Sequence, residues 1–148
     1  MQIRDYIKPL KRMARTSKAK LGGVACFFVK NGAIISSGIN YNPTGGPMEI
    51  ELDASAAAHG AEDSAPELIA HPGVIHAELS AIEAAAKNQV DLTGSALFVT
   101  MSPCIKCAQE IKKTGIKELY YLYEWWDKAS IDLLEGCGIK VVKLEEER

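Results

Sequence analysis

The chain has 148 residues, of which 47% are hydrophobic and 24% are charged. This length and composition predict one domain spanning residues 1–148, and they exclude a wholly disordered chain. No run approaches eighteen apolar residues, which excludes a transmembrane helix, and four cysteines are few for a disulfide scaffold. The amino terminus lacks the apolar block of a signal peptide, so we expect a cytoplasmic protein without membrane contact.

The net charge of −2 conceals an uneven distribution. Residues 1–48 contain eight lysines or arginines and one acid, whereas residues 49–148 contain nine bases and eighteen acids. The pI is about 5.9, which argues against a polynucleotide partner because such binders are usually basic over the whole domain. The basic segment suits a small phosphorylated ligand or an acidic neighbouring subunit, and a merely solvated helix face is the alternative.

Local patterns in the amino-terminal half predict a helix followed by two strands. Apolar spacing indicates a helix over residues 3–18. Two apolar runs, Val24–Val29 and Ala33–Ile39, flank Asn31-Gly32 and predict a β-hairpin. Residues 40–73 show no clear periodicity, and a loop of that length in a compact domain is usually functional.

Helices and strands alternate in the carboxyl-terminal half. The predicted elements are a helix from Ile75, a strand at Ala96–Thr100, a helix capped by Ser102 with Pro103 at its first position and Gly115 at its end, a strand at Leu119–Tyr123, a helix at Asp127–Leu134 and a strand at Ile139–Leu144. The order α-β-β-α-β-α-β-α-β predicts a single α/β layer structure. Its later strands can lie parallel, joined by helical crossovers.

Two short motifs carry chemistry, each at the start of a predicted helix: His76-Ala77-Glu78 and Pro103-Cys104-Ile105-Lys106-Cys107. Cys104 and Cys107 share one helix face at an N-terminus, where the helix dipole favours thiolates. His76 supplies a third ligand from the facing helix, and three protein ligands leave tetrahedral zinc one open position, typical of a catalytic site. Water in that position has a pKa of about 7, and Glu78 is free to carry its protons. We predict one catalytic zinc ion per chain.

The two motifs together are the signature of the zinc-dependent nucleobase deaminases. Within that group the chain resembles the deoxycytidylate (dCMP) deaminases over most of its length. The matching segments are Gly23–Ala25, Asn31–Gly38, Asn40 with Pro43 and Gly45, Ile75–Ile82, Val99–Cys104 and Gly115–Lys117. Ser102 favours the dCMP branch, because adenosine-editing relatives usually have Glu before the proline.

The resemblance implies a cytidine deaminase-like three-layer sandwich, with a five-stranded mixed sheet flanked by helices. It also implies hydrolysis of dCMP to dUMP and ammonia, with Glu78 as the catalytic proton carrier and with Asn40 on the sugar. We expect Ser17, Lys18 and Lys20 to bind the phosphate. The full set of expected substrate-binding residues is Asn40, Ala77, Ser102, Ser17, Lys18, Lys20 and Trp126, with Trp125 as the alternative to Trp126 beside the base.

Regulation and assembly are also implied by the resemblance. Many dCMP deaminases are homohexamers that dCTP activates and dTTP inhibits, with Mg²⁺ on the triphosphate. Asn42 and Gly45 are the expected effector-binding residues, although Tyr41 stands where the family has glycine, so an unregulated enzyme is the alternative. Some members hold a second zinc through loop cysteines, which this loop lacks, and we expect Cys26 and Cys137 to be small buried hydrophobes.

Three other functions are compatible with parts of the pattern. A free cytidine or deoxycytidine deaminase would share the zinc site but would not need the basic segment. A tRNA adenosine deaminase is disfavoured by the acidic pI and by Ser102. A non-catalytic module with a structural zinc is disfavoured by the open coordination position and the intact Glu78.

Overall fold

The computed structural model describes residues 2–20, 22–51, 68–125 and 127–145. The helices are α1 (Ile7–Ala14, preceded by a 3₁₀ turn at Ile3–Tyr6), α2 (Ala77–Lys87), α3 (Ile105–Ile111, followed by a 3₁₀ turn at Lys112–Thr114) and α4 (Ala129–Gly136). The strands are β1 (Ala25–Lys30), β2 (Ala33–Ile39), β3 (Glu49–Glu51), β4 (Leu68–Ala70), β5 (Ala96–Met101), β6 (Glu118–Tyr123) and β7 (Lys140–Lys143). Among the described residues, no helix is long and apolar enough to cross a bilayer.

The main sheet has five strands in the order β2-β1-β5-β6-β7. β1 pairs antiparallel with β2 and β5, whereas β5–β6 and β6–β7 are parallel pairs. Asn31 and Gly32 both have positive φ, at 53° and 77°, which is the two-residue turn that fits the twist of a hairpin. The predicted hairpin, the mixed sheet and the parallel later strands are therefore confirmed.

The helices lie on both faces of this sheet and give three layers. Along β1, Phe27 and Val29 face the core that α1 covers, whereas Cys26 and Phe28 face the core that contains residues of the other three helices. This alternation is the period-2 pattern of a strand buried on both sides. The starts of α2 and α3 consequently meet on one face.

Several predicted helix boundaries are wrong, including those of α4, which spans Ala129–Gly136 instead of Asp127–Leu134. α1 ends at Ala14 instead of continuing to residue 18, because the Thr16 hydroxyl donates to the Met13 carbonyl at 2.7 Å and competes with the helical pattern. α2 begins at Ala77 instead of Ile75, because the Ile75 backbone forms two hydrogen bonds with Tyr41.

The predicted cap of α3 is also wrong. Cys104, not Ser102, is its N-cap, with extended backbone angles and a sulfur that accepts from the Cys107 N–H at 3.5 Å. Ser102 and Pro103 precede the helix, and the Ser102 hydroxyl instead accepts from the Trp125 N–H.

The region predicted as a long loop contains a second, two-stranded antiparallel sheet formed by β3 and β4. Strands of three residues are too short for alternation to be recognised in the sequence. Residues 52–67 lie outside the described residues. Cys26 is buried as predicted, but Cys137 is exposed, because it lies in the turn that ends α4.

Candidate active site

The three predicted metal ligands meet where α2 and α3 begin. His76 Nδ1 lies 3.2 Å from Cys107 Sγ and 3.5 Å from Cys104 Sγ, and all three donor atoms are within 4.8 Å of one another. Tetrahedral zinc, with bonds of about 2.3 Å to sulfur and about 2.0 Å to nitrogen, would separate such donors by about 3.5–3.8 Å. The donor chemistry and spacing therefore fit one zinc ion.

Close packing against the sheet fixes the start of α2. A Cβ at Gly38 of β2 would lie 2.4 Å from the Ala77 carbonyl oxygen, so only glycine permits this approach. The buried Cys26 thiol of β1 donates to the same carbonyl at 3.3 Å. Ala77 lies between His76 and Glu78 in the sequence, so both side chains depend on this contact.

The protonation of the three donors is strongly coupled. The pKa of Cys104 is lowered to about 4, first by a hydrogen bond from Cys107 and also by His76. The pKa of Cys107 is raised, because its proton is shared with Cys104 and its side chain is buried. The hydrogen bond to Cys104 likewise raises the pKa of His76. One thiolate is thus already favoured, which suits a site for a divalent cation.

Glu78 lies beside the metal ligands but outside their donor set. Its side chain is only 3% exposed, and burial raises its pKa to about 7. A carboxyl group with this pKa both accepts and releases a proton near neutral pH, as general acid–base catalysis requires.

A cavity of about 340 Å³ opens onto these residues. The predicted site residues in its lining are Asn40, His76, Ala77, Glu78, Ser102 and Cys104. Val24, Met48, Val74 and Met101 contribute apolar wall, which suits a flat heterocycle. No lysine or arginine of the described ranges lines the cavity.

Asn40 is held rigidly at the end of β2. Its side-chain oxygen accepts from the Val24 N–H at 2.9 Å, and its backbone carbonyl accepts from the Ser17 hydroxyl at 3.1 Å. The Asn40 side-chain nitrogen is therefore the donor that this residue offers to the cavity.

Ala19, which lies within the predicted phosphate-binding segment, lines the cavity, as does Gly22 beyond it. Lys18 and Lys20 are exposed and do not line it, and the Ser17 hydroxyl bonds the protein backbone. Glu49, which sequence reasoning missed, lines the cavity and accepts from the Lys20 N–H at 2.5 Å. Its three-residue strand carries no signal that would have identified it.

The predicted effector residues lie apart from the cavity lining. Asn42 is buried, and its amide is used within its own turn: the oxygen accepts from the Thr44 N–H and hydroxyl, and the nitrogen donates to Pro47. Gly45 has a positive φ of 75° in the same turn.

Trp126 lies outside the described residues, and Trp125 lines the cavity. The backbone N–H of Trp125 donates to the Ser102 hydroxyl at 2.7 Å, so the two residues predicted beside the base are connected. Because the two tryptophans are adjacent, the sequence alone could not decide which of them lies beside the base.

Comparison with known proteins identifies the family of the chain. Residues 1–123 match the family model of the cytidine and deoxycytidylate deaminase zinc-binding region. The deoxycytidylate deaminase of Enterobacteria phage T2 is 33% identical over 163 residues, covering 87% of this chain and 85% of that protein. The deoxycytidylate deaminase of Enterobacteria phage T4 is 32% identical over 160 residues, covering 87% of this chain and 82% of that protein.

The fold also matches a solved structure. The dCMP deaminase from the cyanophage S-TIM5, crystallised in complex with dCMP and dUMP, has a TM-score of 0.76 and 30% identity to this chain. The match covers 97% of this chain and 99% of that chain. The predicted three-layer fold with a five-stranded mixed sheet is confirmed.

Proposed function

The chain belongs to the cytidine and deoxycytidylate deaminase family, and from this premise we propose that it hydrolyses dCMP to dUMP and ammonia. The observation that carries the proposal is the convergence of His76, Cys104 and Cys107 beside buried Glu78 at one cavity. These three ligands would hold zinc, which would lower the pKa of a bound water and so provide the nucleophile.

Glu78 moves the protons of the reaction. Its carboxylate accepts a proton from the attacking water and delivers it to N3 of the cytosine ring, while the oxygen adds to C4. The proton of the new C4 hydroxyl then passes through Glu78 to the amino group, which leaves as ammonia while C4 becomes a carbonyl. One water is consumed for each dCMP, and Glu78 returns to its starting state. The pKa of about 7 suits both transfers.

The substrate is positioned by groups around the cavity. We assign the Asn40 side-chain nitrogen to a sugar hydroxyl, and the backbone at Ala77 and Cys104 to the base edge. Ser102 and Trp125 form the wall beside the base. Lys18 and Lys20 bind the phosphate at the rim, with Ser17 holding their segment against Asn40. Charge-assisted bonds of this kind are stronger than neutral ones.

An absorbance assay of dCMP, CMP, deoxycytidine and adenosine-containing RNA with the purified zinc protein tests this function. Loss of dCMP, with much slower loss of the other three, is the expected result. Equal rates for deoxycytidine and dCMP would instead identify a nucleoside deaminase. Conversion of RNA adenosine alone would identify an editing enzyme.

The finer features are proposals on family grounds. We assign to the chain a homohexameric state, activation by dCTP and inhibition by dTTP with Mg²⁺ on the triphosphate, and a cytoplasmic single catalytic domain of residues 1–148. The turn holding Asn42 and Gly45 follows Asn40 directly, which supports coupling between an effector and the sugar contact. Titrating each triphosphate with Mg²⁺ at low dCMP should shift apparent affinity by roughly 5- to 150-fold. A flat response would exclude the regulation.

A further inference from the structure

Ser102 connects the two segments that form one wall of the cavity. The β5–β6 ladder ends at the pair Met101–Tyr123. Beyond that pair, the Ser102 N–H donates to the Tyr123 carbonyl at 2.8 Å, and the Ser102 hydroxyl accepts from the Trp125 N–H at 2.7 Å. The serine thus continues the connection between the two segments after the strands have ended.

The hydrogen bond from the Trp125 backbone N–H to the Ser102 hydroxyl is well placed to fix the position of the Trp125 backbone. Ser102 is only 4% exposed, and a hydrogen bond shielded from water is not readily exchanged for one to solvent. Removing the hydroxyl would leave the Trp125 N–H without this acceptor in a part-buried position.

Both residues belong to the cavity wall. Trp125 is the only Phe, Tyr or Trp among the described residues that line it. An indole gives a flat base a large stacking surface, and the base can stack on it only where the backbone places the ring correctly. The hydroxyl of Ser102 therefore influences the position of this surface without requiring a contact to the base.

From this geometry we infer that Ser102 is a positioning residue, which sets base affinity by fixing Trp125. The inference rests on the proposed function for the identity of the ligand, but the Ser102–Trp125 connection itself does not. A residue acting only through Trp125 loses its effect once the indole is absent, whereas a residue contacting the base directly does not.

A double-mutant cycle separates the two roles. Ser102→Ala, Trp125→Ala and the double variant are assayed with dCMP as zinc-loaded proteins. We expect Ser102→Ala to raise KM by roughly 5- to 30-fold, the size of one lost buried hydrogen bond, with a smaller change in kcat. In the Trp125→Ala background the same substitution should change KM by less than about twofold. If the KM increase in the double variant equalled the product of the increases in the two single variants, the inference would be overturned.

Indole emission of the substrate-free protein gives a second measurement that does not depend on activity. Ser102→Ala should shift the emission to longer wavelength as Trp125 becomes more solvated, and in a Trp125→Phe background the shift should vanish. An unchanged emission with intact Trp125 would contradict the connection. If the wild type does not turn over dCMP, the proposed function fails, but the emission measurement still tests whether Ser102 fixes Trp125.

Ser130→Ala is the matched control. Ser130 is 1% exposed, its hydroxyl has no hydrogen-bond partner among the described residues, and it does not line the cavity. This variant should leave KM and emission unchanged. Ser102→Thr retains the acceptor oxygen and should keep the emission of the wild type, which protects the test if Ser102→Ala folds poorly.

Discussion

Replacing Gly38 with alanine should disable the active site, although Gly38 itself is neither a metal ligand nor part of the cavity lining. The new Cβ would lie 2.4 Å from the Ala77 carbonyl oxygen, 2.7 Å from the Ala81 N–H nitrogen and 3.0 Å from Ser80 Cβ. Two of these neighbours are backbone atoms of α2 and cannot rotate away. The φ of Gly38 is not positive, so the effect is one of space and not of backbone preference.

The size of the effect follows from the distances. An ordinary carbon–oxygen contact is about 3.2 Å, so the start of α2 must retreat from β2 by roughly 0.8 Å. His76 and Glu78 flank Ala77 and move with it. A misplacement of about 1 Å in a catalytic group costs on the order of 100-fold in rate. The steric strain should also cost about 1–3 kcal/mol in the free energy of unfolding.

Three measurements on the purified variant test this reasoning: kcat for dCMP, zinc affinity by competition with a chromogenic chelator, and thermal unfolding. We expect kcat to fall by about 100-fold and zinc to bind more weakly. The control is Gly136→Ala, where an added Cβ meets nothing within 4 Å, and it should leave kcat and zinc affinity unchanged. A folded Gly38→Ala protein with wild-type kcat and zinc affinity would refute the proposed dependence of the site on this contact.

Three further predictions concern the site itself. Glu78→Gln should retain one zinc per chain by metal analysis but lose at least about 100-fold in kcat, since a buried amide cannot carry the protons; retention of a tenth of the rate would contradict the role. Zinc removal by a chelator should abolish turnover and lower the melting temperature, and zinc at a thousandfold excess over its Kd should restore about 4 kcal/mol of stability; an unchanged melting curve would exclude a bound ion. Lys18→Ala with Lys20→Ala should raise KM for dCMP but not for deoxycytidine in the same assay, with Lys140→Ala, an exposed lysine on the far edge strand, as the control.

The elements that sequence predicted well are those governed by local chemistry. Asn31-Gly32 requires two left-handed residues, so the hairpin is determined within a few positions. The two cysteine ligands are determined almost as locally, because residues i and i+3 at a helix start lie on the same face and can bind one ion together. Only the approach of His76 needs the whole fold.

Several of the incorrect predictions involve competition from distant groups. Ser102 has the chemistry of a helix cap, but the Trp125 N–H is its actual partner, and that partner lies 23 residues away. Ile75 has helical spacing, but its backbone pairs with Tyr41. Glu49 carries no catalytic motif and reaches the cavity only because β3 pairs with β4. Single-sequence patterns contain none of these contacts.

The charges around the cavity determine how a phosphate must be recognised. Glu49 and Glu78 line the cavity, and two cysteine thiolates would balance the charge of zinc, so its interior offers an anion little net attraction. In the proposed function the attraction comes from Lys18 and Lys20, which are exposed. Exposed charges are screened within about 8 Å at physiological ionic strength. Raising the salt concentration should therefore increase KM for dCMP and leave kcat nearly constant, while a salt-independent KM would place the phosphate against buried groups instead.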